Sequence, residues 1–211
     1  LAVIDAGSEG SIILGTNIND TAQFGSVQFS GDQIDISQPD DVTIAGINAQ
    51  SKLNITSTGG NIESIAESSI SAGLATTLTV DRSDGNIDLQ ASNNVFGELS
   101  IVGRDVFVSE ADDIIIGNID VDSLLLSSST GSIGNTNRST IGVLLLADLS
   151  ADGDIVIGDG AADLVNFGRL SLNALNASVI ESSGTILSSL EIAQNLELFS
   201  ANSIADDENA V

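Results

Sequence analysis

The chain has no cysteine, histidine, methionine, tryptophan or tyrosine, one proline (Pro39) and five Lys and Arg residues in all. Without cysteine there is no disulfide framework, no zinc–thiolate centre and no thiol nucleophile. The missing histidine removes the commonest general base, and the missing Trp and Tyr remove the side chains that stack on sugar rings. The few cations stand against 30 acidic residues, for a formal net charge of −25. Such a surface repels nucleic acid and anionic membranes before contact, so neither is an expected partner. No apolar run approaches the roughly 20 residues that cross a bilayer, and residues 143–147, the longest candidate, have the length of a buried strand. The chain opens Leu-Ala-Val-Ile-Asp, without an initiator Met or a basic-then-apolar leader, and is expected to be an internal piece or a processed form of something longer.

What is abundant is aliphatic. Hydrophobic residues make up 42% of the 211 positions and aromatics only 3%. β-branched and small side chains suit thin, stacked strands better than a core built around large rings. The length fits a single unit, residues 1–211.

The stretch from Leu78 to Leu89 sets the pattern: Leu78/Val80, a polar turn with Gly85, then Ile87/Leu89. Alternation places both pairs on one face of a strand. Equivalent first pairs occur at Leu1/Val3, Val27/Phe29, Leu53/Ile55, Leu99/Ile101, Leu124/Leu126, Leu144/Leu146, Leu170/Leu172 and Leu190/Ile192, about 23 residues apart from Leu53 onward. Second positions follow at Ile12/Leu14, Ile34/Ile36, Ile62, Val106/Val108, Ile133, Ile155/Ile157, Val179 and Leu196/Leu198. Third ones lie at Ile18, Val42/Ile44, Ile70, Val95, Ile114/Ile116, Ile141, Leu164, Ile186 and Ile204. Gly10, Gly60, Gly85, Gly131 and Gly153 each stand two residues before a second strand, where a turn with positive φ is expected.

Three short strands per unit, repeated nine times, predict an all-β fold: a right-handed parallel β-helix of about nine three-sided coils, on the order of 40 Å long at 4.8 Å per coil. The hand follows from the preference of parallel crossovers. A tandem of β-sandwiches would need a buried Trp and linkers, and a left-handed helix a strict hexapeptide register; the chain has neither. Uncapped end coils would expose unpaired backbone, which predicts further coils or a partner at the ends.

The segments Leu53-Asn-Ile-Thr-Ser-Thr-Gly-Gly-Asn-Ile62, Leu78-Thr-Val-Asp-Arg-Ser-Asp-Gly-Asn-Ile87 and Leu124-Leu-Leu-Ser-Ser-Ser-Thr-Gly-Ser-Ile133 resemble filamentous-haemagglutinin-type repeats. The resemblance covers nearly the whole chain and implies a right-handed β-helical shaft outside the cell, as in two-partner-secreted adhesins and autotransporter passengers. The uneven coil lengths, above all residues 158–168, depart from the most regular repeats of that kind.

Several residues are candidates for chemistry. Asp35, Glu63 and Asp88 are expected to stack as a column of carboxylates, which splay into water, rise in pKa or hold a calcium ion; solvated acids are the plainer reading. Asp152, Asp154, Asp159 and Asp163 form acid-glycine turns that offer a second calcium site, though neither turn fits an EF-hand loop or a β-roll nonapeptide. Calcium is the one cofactor the pattern admits. Leu125 and Leu145, and likewise Phe96 and Ile115, are expected to point outward on adjacent coils, as contacts to another fibre or a partner or under a loop at 158–168. Arg82 with Asp84 and Asp88, near Arg104 and Asp105, is the nearest approach to a polysaccharide-cleaving site. The sequons at Asn19, Asn54, Asn137 and Asn176 fit chance in a Ser/Thr-rich chain.

The expected function is therefore a non-catalytic extracellular rod: a segment of a microbial surface fibre, stalk or adhesin shaft that associates with itself or with other fibre proteins. The alternatives are an adhesin module that binds a glycan or a host protein and, third, a polysaccharide-active enzyme.

Overall fold

The computed structural model describes residues 1–15, 23–91 and 93–207; Ile18 and the sequon at Asn19 lie outside them. The described residues form twenty strands of one parallel sheet and no helix. Apart from two breaks, between Val95 and 114–116 and between 165–167 and 185–187, each inner strand segment among the described residues pairs with the third segment before it and the third after it, so the chain winds as a three-sided coil. One face stacks residues 42–44, 62–64, 87–89, 106–108, 124–126, 147–149, 170–172 and 190–192. A second stacks 2–5, 27–30, 46–49 and 70–72, ends in a bridge to Val95, and resumes with 114–116, 133–135, 155–157, 177–181 and 196–200. The third stacks 11–14, 33–36, 52–57, 75–80, 98–102, 119–121, 141–143 and 165–167, then 185–187 with 204–206. The result is a β-solenoid of about nine turns, as expected.

Alternation decides which side chains enter the core. Leu53, Ile55, Ile62, Leu78, Ile87, Leu89, Leu99 and Leu126 are wholly buried in one aliphatic column that runs along the axis. Burying each such side chain stabilises the fold by about 1.5–3 kcal/mol. No single coil could close this column, so stability comes from stacking.

Several expected pairs are one residue out, and a slip of one turns a side chain to the opposite face. At the first strand Ala2 and Ile4 pack on the core while Leu1 and Val3 are exposed. Leu144 is 62% exposed, and the inward residues of that coil are Ala147 and Leu149. Here the chain rounds a corner: the pairing passes from Val121↔Val143 to Ser123↔Leu146 with an irregularity between, which absorbs the odd residues. Phe96 is buried and Val95 faces out, the reverse of the expectation; Val165 and Phe167 are buried in place of Leu164, and Thr185 in place of Ile186. Ile204 lies over buried Thr185 and remains half open.

The expected first, second and third positions do not each keep to one face of the coil. Leu124/Leu126 stack on Val106/Val108 and not on Leu99/Ile101. The cause is a longer internal repeat. Phe24-Gly-Ser-Val27-Gln-Phe29, Phe96-Gly-Glu-Leu99-Ser-Ile101 and Phe167-Gly-Arg-Leu170-Ser-Leu172 are spaced 72 and 71 residues apart. Ten strand segments separate Val27 from the segment that begins at Glu98. Ten is not a multiple of three, so the same motif falls on the second face at Val27, the third at Leu99 and the first at Leu170. Sequence likeness therefore moves one face around the rod at each recurrence.

The turn glycines serve a purpose other than the expected one. None of Gly10, Gly60, Gly85, Gly131 and Gly153 has positive φ; among the described glycines only Gly7, Gly15 and Gly158 do. What those five positions lack is room. A Cβ at Gly60 would lie 2.5 Å from the Asp41 amide nitrogen, and one at Gly131 would lie 2.5 Å from the Asp112 carbonyl carbon, both backbone atoms of the neighbouring coil. The residue after four of them, Asn61, Asn86, Ser132 and Asp154, then ties coil to coil. Asp41 Oδ1 accepts from the Asn61 N–H at 2.8 Å and Asn61 Oδ1 from the Asn86 N–H at 2.9 Å. Asp113 Oδ1, Ser132 Oγ and Asp154 Oδ1 continue the device at a second corner, accepting from Ser132 N, Asp154 N and Asn176 Nδ2.

Candidate functional site

Three buried polar side chains sit at the seams of the long repeat. The Phe24 N–H donates to Gln38 Oε1 at 2.6 Å, the Phe96 N–H to Glu110 Oε2 at 2.9 Å and the Phe167 N–H to Glu181 Oε1 at 2.8 Å. Each acceptor lies 14 residues after its phenylalanine. The second and third occur where a face loses its regular ladder: no ladder joins Val95 to 114–116, nor 165–167 to 185–187. A buried N–H without a partner is costly, and at each seam a side-chain oxygen takes the place of the strand carbonyl.

Burial pushes the Glu110 carboxyl up to about 8; the Phe96 N–H opposes the shift, and the negative charges of Asp112 and Asp113 add to it. Its Oε1 is buried without a partner. Burial also raises Glu181, against the pull of the Thr185 hydroxyl and the Phe167 N–H. These carboxyls face the core, so their chemistry is that of caps. Sequence reasoning passed over them, although Phe-Gly followed by Gln or Glu at a spacing of 14 recurs three times.

The expected carboxylate column holds only in part. Glu63 and Asp88 are ladder neighbours, but Asp35 lies on another face between Ile13 and Asn54. Glu63 accepts from the Thr43 hydroxyl at 3.1 Å and Asp88 from Gln90 Nε2 at 3.0 Å. Among the described residues no three carboxylates converge as a metal site. Asp163 is a turn cap: burial opposes its ionisation, but donors from Asn135, Gly160, Arg138 and Ser139 outweigh this and hold its carboxyl below the usual range. Asp154 is tied to Asn176, while Asp152 and Asp159 are exposed.

The expected apolar patches are also rearranged. Leu125 is half-buried between Phe107 and Asp148, and Leu145 stands apart at a corner, 56% exposed. Ile115 faces out as expected, but buried Phe96 is no partner for it. The 158–168 segment does not fold over Leu125; its latter half is the strand Leu164–Phe167, laid on residues 140–143.

Arg82 turns away from Asp84 and Asp88 and reaches two coils along the axis. It pairs with Asp120 and Asp122 and donates to the Val121 carbonyl at 3.3 Å. Arg104 pairs with its neighbour Asp105 at 3.1 Å. Because these groups are well solvated, Arg82→Ala is expected to lower stability by about 1 kcal/mol or less. Urea midpoints at low and high salt check this: the difference from wild type should shrink as salt rises.

A groove of about 720 Å³ runs along the second face near the first coils, between residues 3–5, 28–30, 45–48 and the turn that carries Glu67 and Ser69. Asp5, Ser30, Asn48 and Ser71 form one row along it through successive ladder pairings. Gly46 leaves a gap in the neighbouring row between Gln28 and the next coil, which gives the groove depth. Compared with known proteins, the chain matches no family model, no curated protein and no solved structure.

Proposed function

We propose that the chain is a non-catalytic structural rod, a segment of a microbial surface fibre, stalk or adhesin shaft outside the cell. One observation supports this above the rest: parallel ladders and side-chain ties link coil to coil along the axis, so a pull on the rod is shared among many backbone hydrogen bonds. The acidic surface keeps such rods apart in solution. The haemagglutinin-like repeats support the extracellular setting of the proposal.

The groove with its row of Ser and Asn side chains favours a second reading, an adhesin module for a neutral glycan laid along the axis. A glycan array probed with the chain, together with small-angle scattering, separates the two. The rod reading expects an elongated particle and no retained glycan. Retention that is lost in Asn48→Ala would replace it with the binding reading.

A further inference from the structure

We propose that the middle of the first face docks an extended basic segment of another protein, with the side-chain pattern Arg-Xaa-Leu-Xaa-Arg laid along the axis. One outward row of that face runs Glu63, Asp88, Phe107, Leu125 and Asp148 through successive ladder pairings. Two half-buried apolar side chains thus stand between acids. Phe29, Phe96 and Phe167 are buried and Phe24 packs on the core, whereas Phe107 alternates with buried Val106 and Val108 and lies on the outer face.

The acids of this row have no cation of their own. Among the described residues Arg82, Arg104 and Arg169 pair elsewhere, and no ion pair involves Glu63, Asp88 or Asp148. Glu63 accepts through one oxygen from Thr43 and Asp88 through one from Gln90, so each keeps a second oxygen for a donor. Like charges on adjacent strands repel, and a cation between them removes that cost. A pocket of about 190 Å³ opens at this point, lined by Asn61, Ile62, Glu63, Asn86, Asp88 and Phe107. Calcium takes roughly six to eight oxygen ligands, and among the described residues no third carboxylate joins these two. An aromatic wall beside two carboxylates suits a guanidinium instead, whose plane stacks on a ring while its N–H groups reach oxygen.

Spacing extends the match from one side chain to a segment. Asp88 and Asp148 are three rungs apart, which is about 14 Å along the axis. An extended chain advances about 3.4 Å per residue and returns to one face every second residue, so side chains i, i+2 and i+4 cover the same length. The first Arg then enters the pocket, the Leu lies over Phe107 and Leu125, and the second Arg reaches Asp148. Ser109, Ser127 and Ser150 form the neighbouring outward row through the same ladders, and these small hydroxyls leave room for the segment's backbone and offer it hydrogen bonds. A second copy of this chain supplies no such segment, because its two cations nearest in sequence are Arg82 and Arg104.

Calorimetric titration of the 211-residue chain at low salt with a capped Ser-Arg-Ser-Leu-Ser-Arg-Ser peptide tests this. The expected result is one site per chain, with affinity about tenfold weaker in the double variant Glu63→Gln, Asp88→Asn, in Phe107→Leu, and for a peptide with Ser in place of its Leu. The double variant Asp35→Asn, Asp159→Asn removes the same charge from elsewhere on the surface and is expected to bind like the wild type. Circular dichroism checks that each variant folds, and Phe107→Leu keeps apolar bulk on its rung, so the loss there reports the ring. No binding by the wild type, an equal loss in the Asp35 and Asp159 control, or undiminished binding of the peptide without Leu would overturn the proposal. So would spermine bound as tightly as the peptide, which makes the occupant a polyamine, or self-association that Leu125→Ser abolishes, which makes it a second copy. None of these outcomes alters the particle shape seen by scattering, so the rod reading is tested apart from this one.

Discussion

Glu110→Gln is expected to raise the melting temperature at pH 9 and to leave it nearly unchanged at pH 4. The carboxyl titrates at about 8 in the folded chain against an ordinary value of 4.5, because burial disfavours its charged form. A raised acid binds more protons folded than unfolded between those values. Stability is therefore whole below about pH 4.5 and falls as pH climbs towards 8. The gap corresponds to a loss on the order of 4–5 kcal/mol. Glutamine keeps an oxygen for the Phe96 N–H and carries no charge, and the chain itself uses Gln38 for the same task at its first seam. Thermal melts of both proteins across this range check the expectation. A wild type as stable at pH 9 as at pH 5 would mean that Glu110 is solvated and the seam is open. Glu181→Gln should act in the same direction, because burial raises that group too.

Leu149→Ala should cost about 2–5 kcal/mol, while Leu144→Ala should stay within about 0.5 kcal/mol of wild type. Leu149 is wholly buried between Leu126 and Leu172, so truncation leaves a cavity in a column that two neighbouring coils cannot collapse to fill. Leu144 protrudes at a corner. Chemical denaturation of the two variants distinguishes the observed register from the one that Leu144/Leu146 suggests. Equal losses would restore the latter.

The architecture was legible because its signal is local. Pairs such as Leu53/Ile55 and Ile87/Leu89 alternate cleanly, and the Gly-Asn-Ile turns mark where strands restart. What local alternation does not encode is which face a strand joins. Leu99/Ile101 and Leu124/Leu126 look alike, yet they lie on different faces because ten segments wind round a three-sided coil. Corners were opaque for a related reason: at residues 144–146 three leucines in a row fit either register, and only the irregular pairing there decides. The seam carboxyls were hidden by composition. Among 30 acidic residues nothing in Glu110 alone distinguishes it from a solvated acid; its spacing from Phe96 does. One of the two calcium expectations takes Asp35, Glu63 and Asp88 to share a column, and Asp35 lies on a different face from Glu63 and Asp88.

Because the chain has no cysteine of its own, pairs can be introduced cleanly, and the stacking order is open to direct measurement. Phe107 and Leu125 are ladder neighbours on one face, within disulfide reach, whereas Ser100 lies on another face. Under mild oxidation Phe107→Cys with Leu125→Cys should crosslink within one chain, and Ser100→Cys with Leu125→Cys should not. Crosslinking of the second pair and not of the first would contradict the ten-segment, three-faced winding.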